Sequence, residues 1–487
     1  MIVNNSPQMD VLPTAATNGL RRPLPRRRAD RHRAVGHPRL RRRHPPRAES
    51  GLSERAAVDA VIRIDGQRDR NLLVNLAVTT PRRDTIFFQA SRFRVPASGI
   101  GTVTIPIELE SPTLWNGVEN PYLYNVIVKV TDQNVTCDSL AVPLGLRYFS
   151  VDPKTGFALN GRPLQLHGVF YYEDRASVGP ALTEYQIRED LDYMVEMGVN
   201  AVRTSPGPHS QEFYDECDRR GLIVWSDLPF VGPSYLTDRG YIGTESSPRQ
   251  RRAATPRDDL AILQPPSIAM WGLFSNQSMR WRRPHPVHQG AEHGGPGGGS
   301  HAHDRRREQP GRTDELHHEA GRLGPHLRLE RGPSLRYFGM AGNSCRPTGA
   351  TSTPGLSYGA GASIYHQDDS LYRPDYLGNW HPERWQSYLH EQYYSFAKNA
   401  PFLWGVFIAN MFDYGAAGRE WGDGTGVDDR GLVTFDRKYR KDAFYFYKAN
   451  WNPDEPFVYI AERRWDRCVK RTQTLKVYSN APKSKCC

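Results

Sequence analysis

Gly198-Val199-Asn200-Ala201-Val202-Arg203-Thr204-Ser205 and, further on, Gly221-Leu222-Ile223-Val224-Trp225 decide how this chain is read. Each is a short apolar, β-branched run that follows a glycine, and each glycine ends a helical pattern. Before Gly198, Thr183 and Gln186 have the spacing of a capping box, and Ile187, Leu191 and Met194 recur on one helical face. Before Gly221, residues 210–220 read as a helix burying Phe213 and Cys217. The result is strand, helix, strand, helix, strand. Working outward, residues 164–169 form a strand upstream and 268–274 a fourth downstream. Residues 355–360 and 403–409 form two more, with a helix over about 382–397 between them. Short strands alternating with helices predict a parallel sheet, and an α/β (β/α)8 barrel is the natural home for so many units.

Ahead of this region the period changes. Residues 85–88, 101–109, 122–130 and 139–144 alternate apolar and polar side chains, with turn residues between them. That pattern predicts an immunoglobulin-like β-sandwich over 61–148, followed by the barrel over 149–452 and the cut-short start of another sandwich over 453–487.

The net charge of +11 suggests nucleic acid until it is located. Twelve arginines against Asp30 and Glu49 fall between Leu20 and Ser50, a balance of +10, so the rest of the chain is close to neutral. A solvated or disordered tail over 1–60 explains this better than a nucleic-acid arm. Cys137, Cys217, Cys345, Cys468, Cys486 and Cys487 have neither zinc nor disulfide-framework spacing. No apolar run is long enough to span a membrane, and no secretion signal is visible, so the compartment is left open. Neither a cofactor nor a metal is expected.

Residues 279–354 depart from globular composition. Eight of the sixteen histidines lie between His285 and His326, at spacings that fit no metal template. Codon degeneracy allows Arg282–His293, His301–His326 and His37–Arg47 to be read one base over, and all three then recover helix-like or strand-like periodicity. The expectation is that 1 to about 55 and 280 to about 354 are translated out of frame. If 279–354 supplies no fifth and sixth strand, bare sheet edges should leave the polypeptide marginal or prone to aggregate.

The motifs in the ordinary segments resemble those of glycoside hydrolase family 2, the β-galactosidase and β-glucuronidase type. Ser111-Pro112-Thr113-Leu114-Trp115 with Asn120-Pro121-Tyr122-Leu123-Tyr124 resembles the family's second, immunoglobulin-like domain. Gly145-Leu146-Arg147-Tyr148 with Phe157-Ala158-Leu159-Asn160-Gly161 resembles the junction into the barrel. The stretches 198–205 and 221–225 are similar to its second and third strands. Gly431-Leu432-Val433-Thr434-Phe435-Asp436-Arg437 and Asp442-Ala443-Phe444-Tyr445-Phe446-Tyr447-Lys448 are similar to its close.

The resemblance implies retaining hydrolysis of β-linked sugars by two carboxyl groups about 5–5.5 Å apart. It places the acid/base Glu at Asn276, in Trp271-Gly272-Leu273-Phe274-Ser275-Asn276, and the nucleophile at Ser357, in Ser357-Tyr358-Gly359. Asn has no proton to give, and Ser without a base is a weak nucleophile. Pro206, Ala409 and Tyr172 also depart from the family pattern near the sugar. Asp174, Arg203, Asp227 and Asp413 remain as candidate sugar-binding groups at strand ends, with Trp271, Tyr358 and Trp404 as stacking surfaces. The competing readings are a core role for the Trp residues, a structural ion pair for Arg203 and loop caps for Asp174 and Asp413. Three functions follow: a β-galactosidase-like hydrolase by descent, a non-catalytic carbohydrate-binding barrel, and, least favoured, a nucleic-acid binder. The implied partner is a carbohydrate, without nucleic acid or membrane.

Overall fold

The computed structural model describes residues 39–42, 55–65, 69–95, 100–152, 156–204, 207–227, 265–272, 356–367, 371, 373–375, 378–400, 403–416, 422, 426–464 and 475–482. Asn276 and the 279–354 segment lie outside them.

Strands β1 (Arg39–Arg42), β2 (Arg55–Asp65), β3 (Arg70–Thr79), β4 (Thr85–Val95), β5 (Ile100–Glu110), β6 (Tyr124–Asp132) and β7 (Val135–Leu144) form two antiparallel sheets, ordered β1-β2-β5 and β4-β3-β6-β7. Alternate residues of both sheets share one core: Val58, Ala60, Ile62 and Ile64 from β2, Leu72 to Val78 from β3, and Val126, Val128 and Val130 from β6. Two elements differ from expectation. β2 runs across the expected boundary at residue 60, pairing along its whole length with β5, and β1 extends that sheet back to Arg39. The Arg-rich run ending at Arg47 drew the expected boundary to 60, although Val58, Ala60, Ile62 and Ile64 keep a regular two-residue apolar period. β3 was not read from the sequence either, although it sits between β4 and β6.

A small antiparallel sheet of β8 (Phe149–Asp152), β9 (Gly156–Leu159) and β10 (Arg162–Pro163) leads into the parallel region. There β11 (Leu166–Tyr171), β12 (Ala201–Thr204), β13 (Ile223–Asp227), β14 (Ile268–Gly272), β15 (Leu356–Tyr358) and β16 (Gly405–Ile408) form one sheet in the order β14-β13-β12-β11-β16-β15. The first of these strands, β11, lies between β12 and the last, β16. The described sheet ends at β14 on one side and β15 on the other.

Helix α1 (Glu184–Met197) carries the expected capping box and stops at Gly198, left-handed at φ 87°. Helix α2 (Gln211–Arg220) starts on Ser210, whose hydroxyl accepts from Phe213 N, and stops at Gly221, φ 77°. A Cβ on Gly221 would meet the Gly117 carbonyl at 2.1 Å, so this glycine also lets the sandwich backbone reach the parallel region. The same contact is fixed by Trp115, whose buried Nε1 donates to Asp218 O at 2.9 Å, and by Arg147, which donates to the carbonyls of Pro266 and Ile268. Helices α3 (Glu383–Lys398) and α4 (Asp442–Trp451) cover the sheet further along. After β17 (Tyr414–Gly415) and β18 (Val427–Asp428), the last strands β19 (Val458–Ile460) and β20 (Val477–Ser479) pair antiparallel. Tyr459 of β19 stacks on Tyr445 of α4 at 3.6 Å.

Candidate active site

The sheet sorts its side chains by parity. Val169, Tyr171, Val202, Val224, Tyr358, Val406 and Ile408 pack outward against Leu191, Met194, Phe213 and Tyr447 of the helices. Phe170, Ala201, Ile223, Trp225 and Phe407 pack together on the other side of the sheet. Gly168 leaves room there for the Phe407 ring, since a Cβ would sit 2.3 Å from it.

Arg203 belongs to this inner side. Phe170, Arg203 and Trp225 are register partners across β11, β12 and β13. The guanidinium carbon lies 4.8 Å from the Phe170 ring centre and 4.2 Å from that of Trp225. Its Nε donates to Asp227 Oδ2 at 3.0 Å, and both side chains are fully buried. Gly272 faces this carboxylate; a Cβ there would lie 1.8 Å from Asp227 Oδ1. Burial raises the Asp227 carboxyl's pKa, and Arg203 opposes the rise.

Where β11 and β16 end, a second polar group assembles. Asp413 accepts from Gly431 N and from Lys441 Nζ, both at 2.8 Å. Lys441 also donates to the carbonyls of Ala362 and Asp429, so the buried ammonium has three acceptors. Burial pushes the Asp413 carboxyl up in pKa while Lys441 works against it. Asp174 Oδ2 accepts from Gly415 N at 2.7 Å. Tyr172 stacks on Tyr414 with ring centres 3.9 Å apart. Asp428 holds Arg430 through Nε at 2.8 Å, and His381 Nδ1 lies 2.6 Å from Asp429 Oδ2.

Several expected site residues are therefore placed differently. Tyr358 faces the helices, not a ligand: its hydroxyl accepts from Tyr447 and its ring stacks near Tyr393, because the last residue of β15 has outward parity. Trp404 stands before β16, at the opposite end of the sheet from Asp174 and Asp413. There its carbonyl accepts from Leu166 N and its ring packs 6.1 Å from Phe157. Both are core residues. Arg203 and Asp227 are brought together, and Asp174 and Asp413 share the other cluster. Trp271 and Ser357 are placed by backbone register alone, opposite Ser226 and Phe407. Asn276 lies outside the described residues. The sequence reading missed Lys441, Arg430, Asp428, His381 and Asp429. The run Asp428-Asp429-Arg430, two acids and a base following a glycine-rich stretch of sequence, was the available signal.

This architecture can be set beside known proteins. Residues 151–280 match the model of glycosyl hydrolases family 2, TIM barrel domain, and residues 46–147 match glycosyl hydrolases family 2. A β-glucuronidase of Bacteroides fragilis is 40 % identical over 393 residues, 78 % of this chain and 55 % of the relative. The chain belongs to glycosyl hydrolase family 2. Within the family it is also similar to a β-galactosidase of Bacteroides ovatus, 36 % identical over 180 residues, which is 37 % of this chain and 21 % of that one. A likeness of fold extends to the crystal structure of a candidate β-galactosidase from Bacteroides fragilis, with a TM-score of 0.70 at 24 % identity, covering 92 % of this chain and 65 % of that one. The chain spans about half the length of the curated family-2 relative it matches over the longest stretch.

Proposed function

We propose that this chain is a family-2 β-glycosidase by descent. It binds a β-linked hexoside where its parallel strands end and hydrolyses it several powers of ten more slowly than an intact carboxylate pair would. The six parallel strands are read as six of eight in a (β/α)8 ring, preceded by an immunoglobulin-like sandwich. The pairing of β11 with both β12 and β16 supports this, because a ring makes its first strand a neighbour of its last.

One observation carries the reading of slow chemistry. Among the described residues, each of the three candidate carboxylates at these strand ends has at least one oxygen engaged: Asp227 by Arg203, Asp413 by Lys441, and Asp174 through Oδ2 alone by a backbone amide. A nucleophile and an acid both need freedom to reach a sugar, and the motif resemblance puts Asn276 and Ser357 at the two positions the family uses. The relatives' names support a galactoside or a glucuronide as substrate.

A second reading, a carbohydrate-binding barrel without catalysis, is favoured by the same commitment of the carboxylates. Chromogenic β-galactoside and β-glucuronide assays separate the two. Slow turnover of either substrate by the unaltered chain supports residual chemistry. Sugar binding by calorimetry without turnover supports the binding barrel. Absence of both sinks the sugar reading.

A further inference from the structure

The three candidate carboxylates use their oxygens differently. Arg203 Nε reaches both oxygens of Asp227, at 3.3 and 3.0 Å. Asp174 gives Oδ2 to Gly415 N, and its Oδ1 is buried without a donor. In Asp413 both donors, Gly431 N and Lys441 Nζ, converge on Oδ1. Oδ2 takes no hydrogen bond among the described residues, and the side chain keeps 8 % of its surface open. A carboxyl anchored through one oxygen and bare at the other is held in orientation yet able to meet a ligand.

The surrounding charges favour a proton on that carboxyl. Lys441 spends its three N–H groups on Asp413 Oδ1 and on the carbonyls of Ala362 and Asp429, so it anchors Asp413 and has no donor left for a ligand. Arg430 answers Asp428, and His381 lies against Asp429. While His381 is neutral, three carboxyls, Asp413, Asp428 and Asp429, face two fixed cations, Lys441 and Arg430. Burial, joined by the charges of Asp429 and Asp428, pushes the Asp413 carboxyl up to about 7, with Lys441 working against it. A carboxyl poised near neutrality can both give and regain a proton.

We propose, given the β-hexoside reading of this site, that Asp413 is the general acid of its slow hydrolysis, working through Oδ2. The Oδ2 proton passes to the glycosidic oxygen as the bond from that oxygen to the anomeric carbon breaks. The aglycone leaves as an alcohol. Water adds to the anomeric carbon and gives up one proton, which restores the Asp413 carboxyl directly or through solvent.

The test is kcat/KM of the full chain for phenyl and 2,4-dinitrophenyl β-galactosides and β-glucuronides across neutral pH. Dinitrophenolate departs without a proton, whereas phenolate needs one. Asp413→Asn, which keeps an acceptor for Lys441 and Gly431, is expected to slow the phenyl substrate about 100-fold and the dinitrophenyl substrate less than about 10-fold. In the unaltered chain the phenyl rate falls as pH rises through about 7, and Asp413→Asn removes that fall. Should Asp413→Asn not fold, the unaltered chain decides, because its preference for the dinitrophenyl substrate must widen about 10-fold per pH unit above the pKa of the acid. Equal losses on both substrates mark a structural role and overturn the proposal. So does a phenyl rate that Asp413→Asn leaves unchanged, or a leaving-group preference constant with pH. Sugar binding by calorimetry without turnover overturns it while leaving the carbohydrate site standing, and absence of both binding and turnover sinks the two together.

Discussion

Asp227 illustrates what a single side chain does in this sheet. Its removal leaves Arg203 charged, buried and without its one good hydrogen bond. Breaking a buried pair from one side typically costs about 3–5 kcal/mol. Asp227→Ala is therefore expected to lower the unfolding free energy measured in urea by that amount, and Asp227→Asn by less, since an amide oxygen still accepts from Nε. Equal midpoints for Asp227→Ala and the unaltered chain would mean the pair is absent in solution. Asp218 gives a pH-dependent counterpart. Burial pushes its carboxyl up to about 7, while Ser267 N donates to it at 2.8 Å. The folded pKa lies above the unfolded 3.8, so the fold favours the protonated form. That stabilisation is complete below about 3.8 and is lost as pH rises through about 7, on the order of 4 kcal/mol in all. Asp218→Asn keeps an acceptor for Ser267 and should flatten the dependence. Parallel Tm-against-pH curves for the two proteins between pH 4 and 8 would refute this.

At the scale of elements, the helix ends were the most legible part of the sequence. The capping box at Thr183 and the stops at Gly198 and Gly221 stand where residue type alone put them. The six parallel strands were legible to within about two residues, because apolar runs bounded by glycine leave little choice, whereas in the sandwich β3 was missed and β4 and β7 run several residues beyond the stretches read. Which way a strand residue faces was not. Tyr358 and Trp404 fit a sugar site by type and position along the chain, yet the parity of β15 and the sheet end beside Trp404 decide otherwise. Pairings across long separations, such as Lys441 with Asp413, leave no local pattern to read. Gly221 also separates two effects. Gly221→Ala meets both a left-handed φ and the Gly117 backbone at 2.1 Å, whereas Gly426, at φ 83°, has nothing within 4 Å. Gly426→Ala is expected to lose about 1 kcal/mol and Gly221→Ala more than about 2, by urea unfolding. Equal losses would show that the sandwich backbone does not abut Gly221.

For the whole molecule, the ring proposed above would need two further strands, which the sequence offers only in residues 279–354. Their composition argues against that, so a broad melt below the ordinary mesophile range of about 45–65 °C is expected for the purified chain. A single cooperative melt above that range would contradict the out-of-frame account. The central claim is that a sugar-cleaving scaffold persists here without its acidic pair. Its most direct test is the rate of p-nitrophenyl β-galactoside and β-glucuronide hydrolysis by the unaltered chain. The account predicts turnover several powers of ten below the usual range of about 1–1000 per second. Turnover within that range, unaffected by Asn276→Ala or Ser357→Ala, would contradict it.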